Sequence, residues 1–139
     1  LDIKRIDERV SVSPQIDVED VARLKAAGFV AIINNRPDGE DATQPPGAVI
    51  AEAAAAAGLR YFAIPLGRDG VRDELIEATR QALDSIDGPV LAYCRSGTRS
   101  TTLWALSQTG REATEDVIGK AAGAGYDISH LRGHLDAGV

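Results

Sequence analysis

Cysteine is all but missing: Cys94 is the only one in 139 residues. No internal disulfide can form and cysteine-based zinc patterns are excluded, so Cys94 has to be read by itself. Basic residues are in deficit, 15 against 21 acidic ones, for a net charge of −6. That balance argues against a general nucleic-acid binder and against a polybasic membrane-surface protein, while leaving room for a local cationic pocket. No stretch approaches the roughly 18 to 20 apolar residues of a membrane helix. The longest small-residue run, Ala53–Ala57, lies inside an amphipathic pattern. The charged start of the chain (Asp2, Lys4, Arg5, Asp7, Glu8, Arg9) has none of the apolar character of a secretory signal, so a cytoplasmic location is the expectation. Nucleotide P-loop and dinucleotide fingerprints are absent too, and no cofactor is implied.

What remains is ordinary for a globular chain, 44% hydrophobic and 26% charged, and the length predicts one domain over residues 1–139. No repeat, low-complexity linker or block of like charge divides it. Ile3–Ile6 and Val10–Ser13 alternate as two short strands would. Asp17 is placed to cap a helix over Val18–Ala27, stopped by Gly28. Phe29–Ile33 is a continuous apolar run of strand length, suited to a strand covered on both faces. Asn34–Gly47 is rich in turn formers and reads as a loop, with Pro46 opening a helix that runs to Ala57 and stops at Gly58. A strand over Leu59–Ile64, a loop over Pro65–Gly70, a helix from Val71 to Ile86 and a strand over Val90–Tyr93 follow. Helices are then predicted over Ser100–Ser107, Thr114–Ala124 and Ile128–Leu135, with Leu103, Trp104 and Leu106 in the core. Strands alternating with helices specify an α/β sandwich with a mainly parallel sheet.

The chemistry is concentrated in Cys94-Arg95-Ser96-Gly97-Thr98-Arg99-Ser100. A buried strand delivers a lone cysteine into a glycine-containing loop that opens into a helix. There the sulfur is expected to face several backbone N–H groups and the positive end of a helix dipole, both of which favour thiolate. Arg99 supplies a bidentate fork suited to a tetrahedral oxyanion, and Gly97 lets the backbone approach a ligand closely. Ser100 is placed to cap the helix and to donate to the thiolate.

This loop resembles the active-site loops of cysteine-dependent phosphatases and of rhodaneses. The wider chain, through Val10-Ser11-Val12-Ser13-Pro14-Gln15, Ile32-Ile33-Asn34-Asn35-Arg36-Pro37-Asp38-Gly39-Glu40 and Ile64-Pro65-Leu66, resembles the bacterial family of beta-lactamase hydrolase-like proteins, phosphatase-like domain, over nearly all of residues 1–135. The resemblance implies a dual-specificity-phosphatase-like fold, with a mostly parallel central sheet flanked by helices. Some members of that family are fused to a metallo-beta-lactamase-like domain linked to sulfide oxidation. Two features depart from the phosphatase pattern. Four residues separate Cys94 from Arg99 where those enzymes have five, and four is the rhodanese spacing; the residue before the cysteine is Tyr93 rather than histidine.

Phosphoryl transfer also needs an acid for the leaving oxygen. The resemblance points to the loop holding Asp69, with Asp73 as the alternative. Arg36 is expected to border the pocket or else to pair with Asp38 or Glu40. Arg95, Ser96, Gly97, Thr98 and Ser100 complete the expected binding loop, and Arg68 and Arg72 are candidates for a cationic rim. His130 and His134 have metal-ligand spacing but no third ligand, and read as surface histidines. The sequence thus predicts a Cys94-dependent phosphatase of phosphomonoesters, with sulfur transfer through a Cys94 persulfide and a non-catalytic anion-binding module as the alternatives. The expected partner is a phosphorylated or sulfane-sulfur substrate. A lone reactive thiol is also open to oxidation to sulfenic acid, with no second cysteine to resolve it.

Overall fold

A computed structural model describes residues 1–138. Its strands are β1 (Lys4–Arg5), β2 (Val10–Ser13), β3 (Ala31–Asn34), β4 (Arg60–Ala63) and β5 (Val90–Tyr93). They form one sheet in the order β1-β2-β5-β3-β4. Only β1 runs antiparallel to its neighbour; β2, β5, β3 and β4 are all parallel. The helices are α1 (Val18–Ala26), α2 (Gly47–Ala57), α3 (Asp73–Ser85), α4 (Thr98–Ser107), α5 (Thr114–Gly123) and α6 (Arg132–Ala137), with a 3₁₀ turn at Ser129–Leu131. No helix among the described residues is long and apolar enough to cross a membrane.

The period-2 geometry of the strands sorts their side chains into two cores. Ile32, Leu91 and Tyr93 face one side, where Val21 and Leu24 of α1 and Ile50 and Ala54 of α2 cover them. Ile33, Val90 and Ala92 face the other side, against Ile76 and Leu83 of α3, Leu103 and Leu106 of α4, Val117 of α5 and Leu135 of α6. A strand buried on both faces has no polar alternation, which is why β3 and β5 read as unbroken apolar runs. Trp104 is 2% exposed, and its indole N–H donates to Asp7 Oδ2 at 3.2 Å. The other Asp7 oxygen accepts the backbone N–H groups of Arg9 and Val10 at 2.9 and 2.7 Å. One carboxylate thus ties the β1–β2 turn to the helix that follows Cys94.

Several boundaries differ from the sequence reading. β3 begins at Ala31, because Phe29 N–H returns to Leu24 O at 3.1 Å to close α1 and Val30 N–H bonds Pro89 O at 2.9 Å outside the ladder. Helix α3 begins at Asp73, with Arg72 at its N-cap, and Val71 is exposed rather than on the apolar face. Helix α4 begins at Thr98, two residues early, because Gly97 at φ 95° turns the chain directly into it. The final predicted helix is split between the 3₁₀ turn and α6, which places His130 and His134 on different elements, both exposed.

Leu91 is fully buried at the middle of the central strand. Leu91→Ala is expected to cost about 2–5 kcal/mol, read from the midpoint of urea unfolding. A loss below about 1 kcal/mol would mean that α1 and α2 do not close over this face as described.

Candidate active site

The parallel register brings four strand ends to one level, since Tyr93 is paired with both Ser13 and Asn34 and Asn34 with Ala63. Hydrogen bonding continues past the strands: Asn35 N–H to Tyr93 O at 2.8 Å, Leu66 N–H to Asn35 O at 2.9 Å and Cys94 N–H to Ser13 O at 3.4 Å. The loops leaving β2, β3, β4 and β5 therefore start from fixed positions around one crevice. Carboxyl ends of parallel strands, with β5 inserted between β2 and β3, are where open α/β sheets place their ligands.

Cys94 leaves β5 fully buried. Its sulfur accepts the Gly97 N–H at 3.1 Å, so among the described residues one backbone donor, rather than the several expected, is within hydrogen-bond reach of it. Gly97 is the N-cap of α4 in the left-handed region, and a Cβ there would lie 2.2 Å from Tyr126 Oη. Tyr126, half-buried just after α5, donates its hydroxyl to Ser96 O at 2.9 Å and so clamps the loop from outside. Burial pushes the Tyr126 phenol up, and the nearby Cys94 adds to this. The Ser100 hydroxyl is buried without a hydrogen-bond partner in the first turn of α4, so the capping position expected of it belongs to Gly97. Tyr93, where phosphatases carry histidine, turns into the α1–α2 core, and burial pushes its phenol far up.

Arg99 lies in the first turn of α4 rather than closing a loop ahead of the helix. Its guanidinium is occupied by a residue of the chain itself. Nη1 donates to Glu40 Oε2 at 2.7 Å, Nη2 to Glu40 Oε1 at 2.8 Å, and Nη1 also to Leu66 O at 2.9 Å. This is the two-pronged geometry with which arginine takes a carboxylate or phosphate. The hydrogen bond to Glu40 raises the Arg99 pKa, with smaller contributions from Cys94. Glu40 also receives Arg36 Nε at 3.0 Å, and the Arg36 Nη1 donates to Gln15 Oε1 at 3.1 Å. The Arg36 side chain is 4% exposed and that of Glu40 28%, so the pairing is half-buried. Led by the hydrogen bond from Arg99, the two guanidinium groups hold the Glu40 carboxyl down at about 2.

Pro37, Asp38, Gly39, Glu40, Gly67, Arg68, Arg95 and Arg99 line a cavity of about 550 Å³, of which the buried Cys94 is not a lining residue. Asp69 sits in the exposed turn closed by Gly70 N–H to Gly67 O at 3.1 Å, beside the lining but not part of it. Asp73 is the first residue of α3 and lines a different cavity, with Arg80 and His134. The Ser96 and Thr98 side chains are exposed and bonded to each other at 3.1 Å. Arg72 pairs with Glu74 at 3.5 Å, away from the rim proposed for it. The sequence reading missed the role of Glu40, and missed Gln15 and Tyr126 altogether. Their positions depend on strand order and on the return of α5, neither of which leaves a local signal.

Together these features define a cysteine-loop domain with the fold of dual-specificity and tyrosine phosphatases. The chain belongs to the family described as beta-lactamase hydrolase-like protein, phosphatase-like domain, whose model matches residues 2–111. The match stops short of the residue 135 expected from the sequence and leaves α5, Tyr126 and α6 outside it. A beta-lactamase hydrolase-like protein of Agrobacterium fabrum is 37% identical over 126 residues, covering 89% of this chain but 29% of that protein. The chain thus spans under a third of that relative's length. Among solved structures, a Neisseria meningitidis protein provisionally assigned as a phosphatase superposes with a TM-score of 0.83 at 32% identity, covering 99% of this chain and 98% of that one. Tk-PTP in its active form gives a TM-score of 0.69 at 18% identity over 97% and 93% of the two chains, a likeness of fold.

The depressed Glu40 pKa fixes a pH dependence. The stabilisation from its ion pairs is complete above the ordinary carboxyl value of 4.5 and is lost as pH falls towards about 2. Glu40→Gln is therefore expected to lower Tm at pH 7 by an amount equivalent to about 1–2 kcal/mol. The gap from the parent protein should close between pH 4.5 and pH 2, as followed by circular dichroism. A gap independent of pH would mean that the contact acts through packing and not through charge.

Proposed function

We propose that the domain hydrolyses phosphomonoesters through a covalent phosphocysteine at Cys94. The observation that carries this reading is the Arg99 fork, which already holds a carboxylate in two-pronged fashion from the first turn of the helix that opens out of the Cys94 loop. A phosphoryl group presents the same fork with the same pair of acceptors once Glu40 moves aside. The Cys94 thiolate attacks phosphorus, a P–S bond forms and the ester P–O bond breaks. Arg99 and the N–H groups from Arg95 to Ser100 take up the charge on the phosphoryl oxygens. Asp69 delivers the proton to the departing oxygen by a swing of the Gly67–Gly70 turn. Water then attacks phosphorus, the P–S bond breaks, and phosphate and the thiolate are released.

The four-residue spacing between Cys94 and Arg99 favours a second reading, sulfur transfer. There the thiolate attacks the outer sulfur of thiosulfate, the S–S bond breaks with sulfite leaving, and the resulting persulfide passes its sulfur to cyanide or a thiol. No alkoxide departs, so no proton donor is needed. This is where the two readings part, because Glu40 is ionised at neutral pH and Asp69 sits in an exposed turn.

One protein preparation assayed for aryl phosphate hydrolysis and for thiosulfate-to-cyanide transfer separates them. On the main reading, phosphate release vanishes in Cys94→Ser and falls about a hundredfold in Asp69→Asn for substrates with poor leaving groups. Thiocyanate formation that needs Cys94 and is indifferent to Asp69→Asn would establish the second reading. Absence of both activities, with phosphate still bound, would leave an anion-binding module.

A further inference from the structure

Arginines in this protein are almost all engaged. Among the described residues, Arg68 and Arg95 are the two whose guanidinium groups meet no carboxylate or carbonyl. Every other arginine does. Both unengaged side chains line the same cavity, the one that contains Arg99. They reach it from different loops, Arg68 after β4 and Arg95 immediately after Cys94.

The segments that carry them are tethered although their guanidinium groups are not. Leu66 O, two residues before Arg68, accepts from Arg99 Nη1 at 2.9 Å, and Arg95 O accepts the Gln15 N–H at 3.4 Å. The acids of the cavity do not answer them. Glu40 is taken up by Arg99 and Arg36, and Asp38 Oδ1 accepts the Gly47 N–H at the start of α2 at 2.8 Å. Asp41 feels Arg95 only as a minor charge, its own pKa being lowered first by its hydrogen bonds to Thr43. Two uncompensated cations therefore face a crevice on a chain of net charge −6. The crevice, about 550 Å³, falls within the roughly 300–1,000 Å³ typical of sites for whole small molecules.

We infer that the substrate is a small molecule with two anionic groups, the reacting one held by Arg99 and a second, such as a carboxylate or phosphate, held between Arg68 and Arg95. The placement of the reacting group rests on the function proposed above; the second subsite rests on the two unengaged arginines. Three loops wall the crevice, which favours a compact ligand over an extended phosphopeptide.

Binding to Cys94→Ser protein, measured by titration calorimetry, tests this without requiring turnover. Two matched pairs of phosphomonoesters differ by one carboxylate at short and at longer reach: ethyl phosphate against phosphoglycolate, and 4-methylphenyl phosphate against 4-carboxyphenyl phosphate. In at least one pair the carboxylate is expected to tighten binding about tenfold, roughly 1.4 kcal/mol. Adding Arg68→Gln or Arg95→Gln should remove most of that ratio, and the lysine variants should keep part of it. Equal affinity within both pairs, or a ratio untouched by both glutamine variants, overturns the inference. So does a phosphotyrosine peptide that binds as tightly as the dianionic ester through the same arginines. Phosphate release by the parent protein is measured alongside. Its absence with the ratio intact refutes the proposed hydrolysis and leaves the second subsite standing, whereas turnover without the ratio does the reverse.

Discussion

The parallel pairing of β5 with β2 on one side and β3 on the other is the constraint from which the site follows. Ser13, Tyr93 and Asn34 end at one level because the register is continuous across all three strands. Each chain then turns out of the sheet from a position already fixed by backbone hydrogen bonds. Burying β5 on both faces makes that register expensive to change, since a slip of one residue would exchange Leu91 and Tyr93 with Val90 and Ala92 between two differently shaped cores. The cysteine is thus positioned by core packing, and its own loop contributes little beyond the turn at Gly97.

Much of this architecture is written locally. The apolar runs around β3 and β5, the glycine stops after α1 and α2, and the order of strand, cysteine, glycine and helix are all properties of short windows. The errors arise where a distant partner decides the outcome. Val71 has the right spacing for the apolar face of α3, yet the helix starts at Asp73, where Arg72 occupies the N-cap and acids occupy the first turn. Phe29 and Val30 have strand-like composition, but their N–H groups are spent on Leu24 O and Pro89 O. Glu40 is one acid among several in a loop rich in turn formers. Only the closure of the sheet brings it onto Arg99, 59 positions away, and no periodicity in the sequence encodes that meeting.

Electrostatically, Glu40 has two opposed effects. Its carboxylate neutralises Arg36 and Arg99 in a half-buried setting where two adjacent guanidinium groups would otherwise repel each other. It also holds the planar fork of Arg99 flat and aimed into the crevice, because both nitrogens are engaged by one planar group. On the proposed function the same contact competes with an incoming anion. A ligand that takes the Arg99 fork must match a carboxylate bound by two cations, and a single weakly charged group is poorly equipped to do so. An anion that also engages Arg68 and Arg95 meets that competition with interactions Glu40 cannot make.

The four-residue loop gives the same balance a structural origin. With Gly97 acting directly as the N-cap, Thr98 and Arg99 fall into the first turn of α4, and among the described residues the Gly97 N–H is the one backbone donor on the Cys94 sulfur. A loop this short has little backbone with which to surround an anion. Side-chain charge lies around it: Arg68 after β4 and Arg95 of the cysteine loop line the cavity beside the Arg99 fork, and Arg36 after β3 stands behind Glu40. On the proposed reading, Cys94 fixes where the reacting atom sits, while affinity and choice of substrate depend on Arg68 and Arg95 as well as on the Arg99 fork. On that reading, variation in the loop after β4 changes what the domain acts on while leaving the backbone around Cys94 as it is.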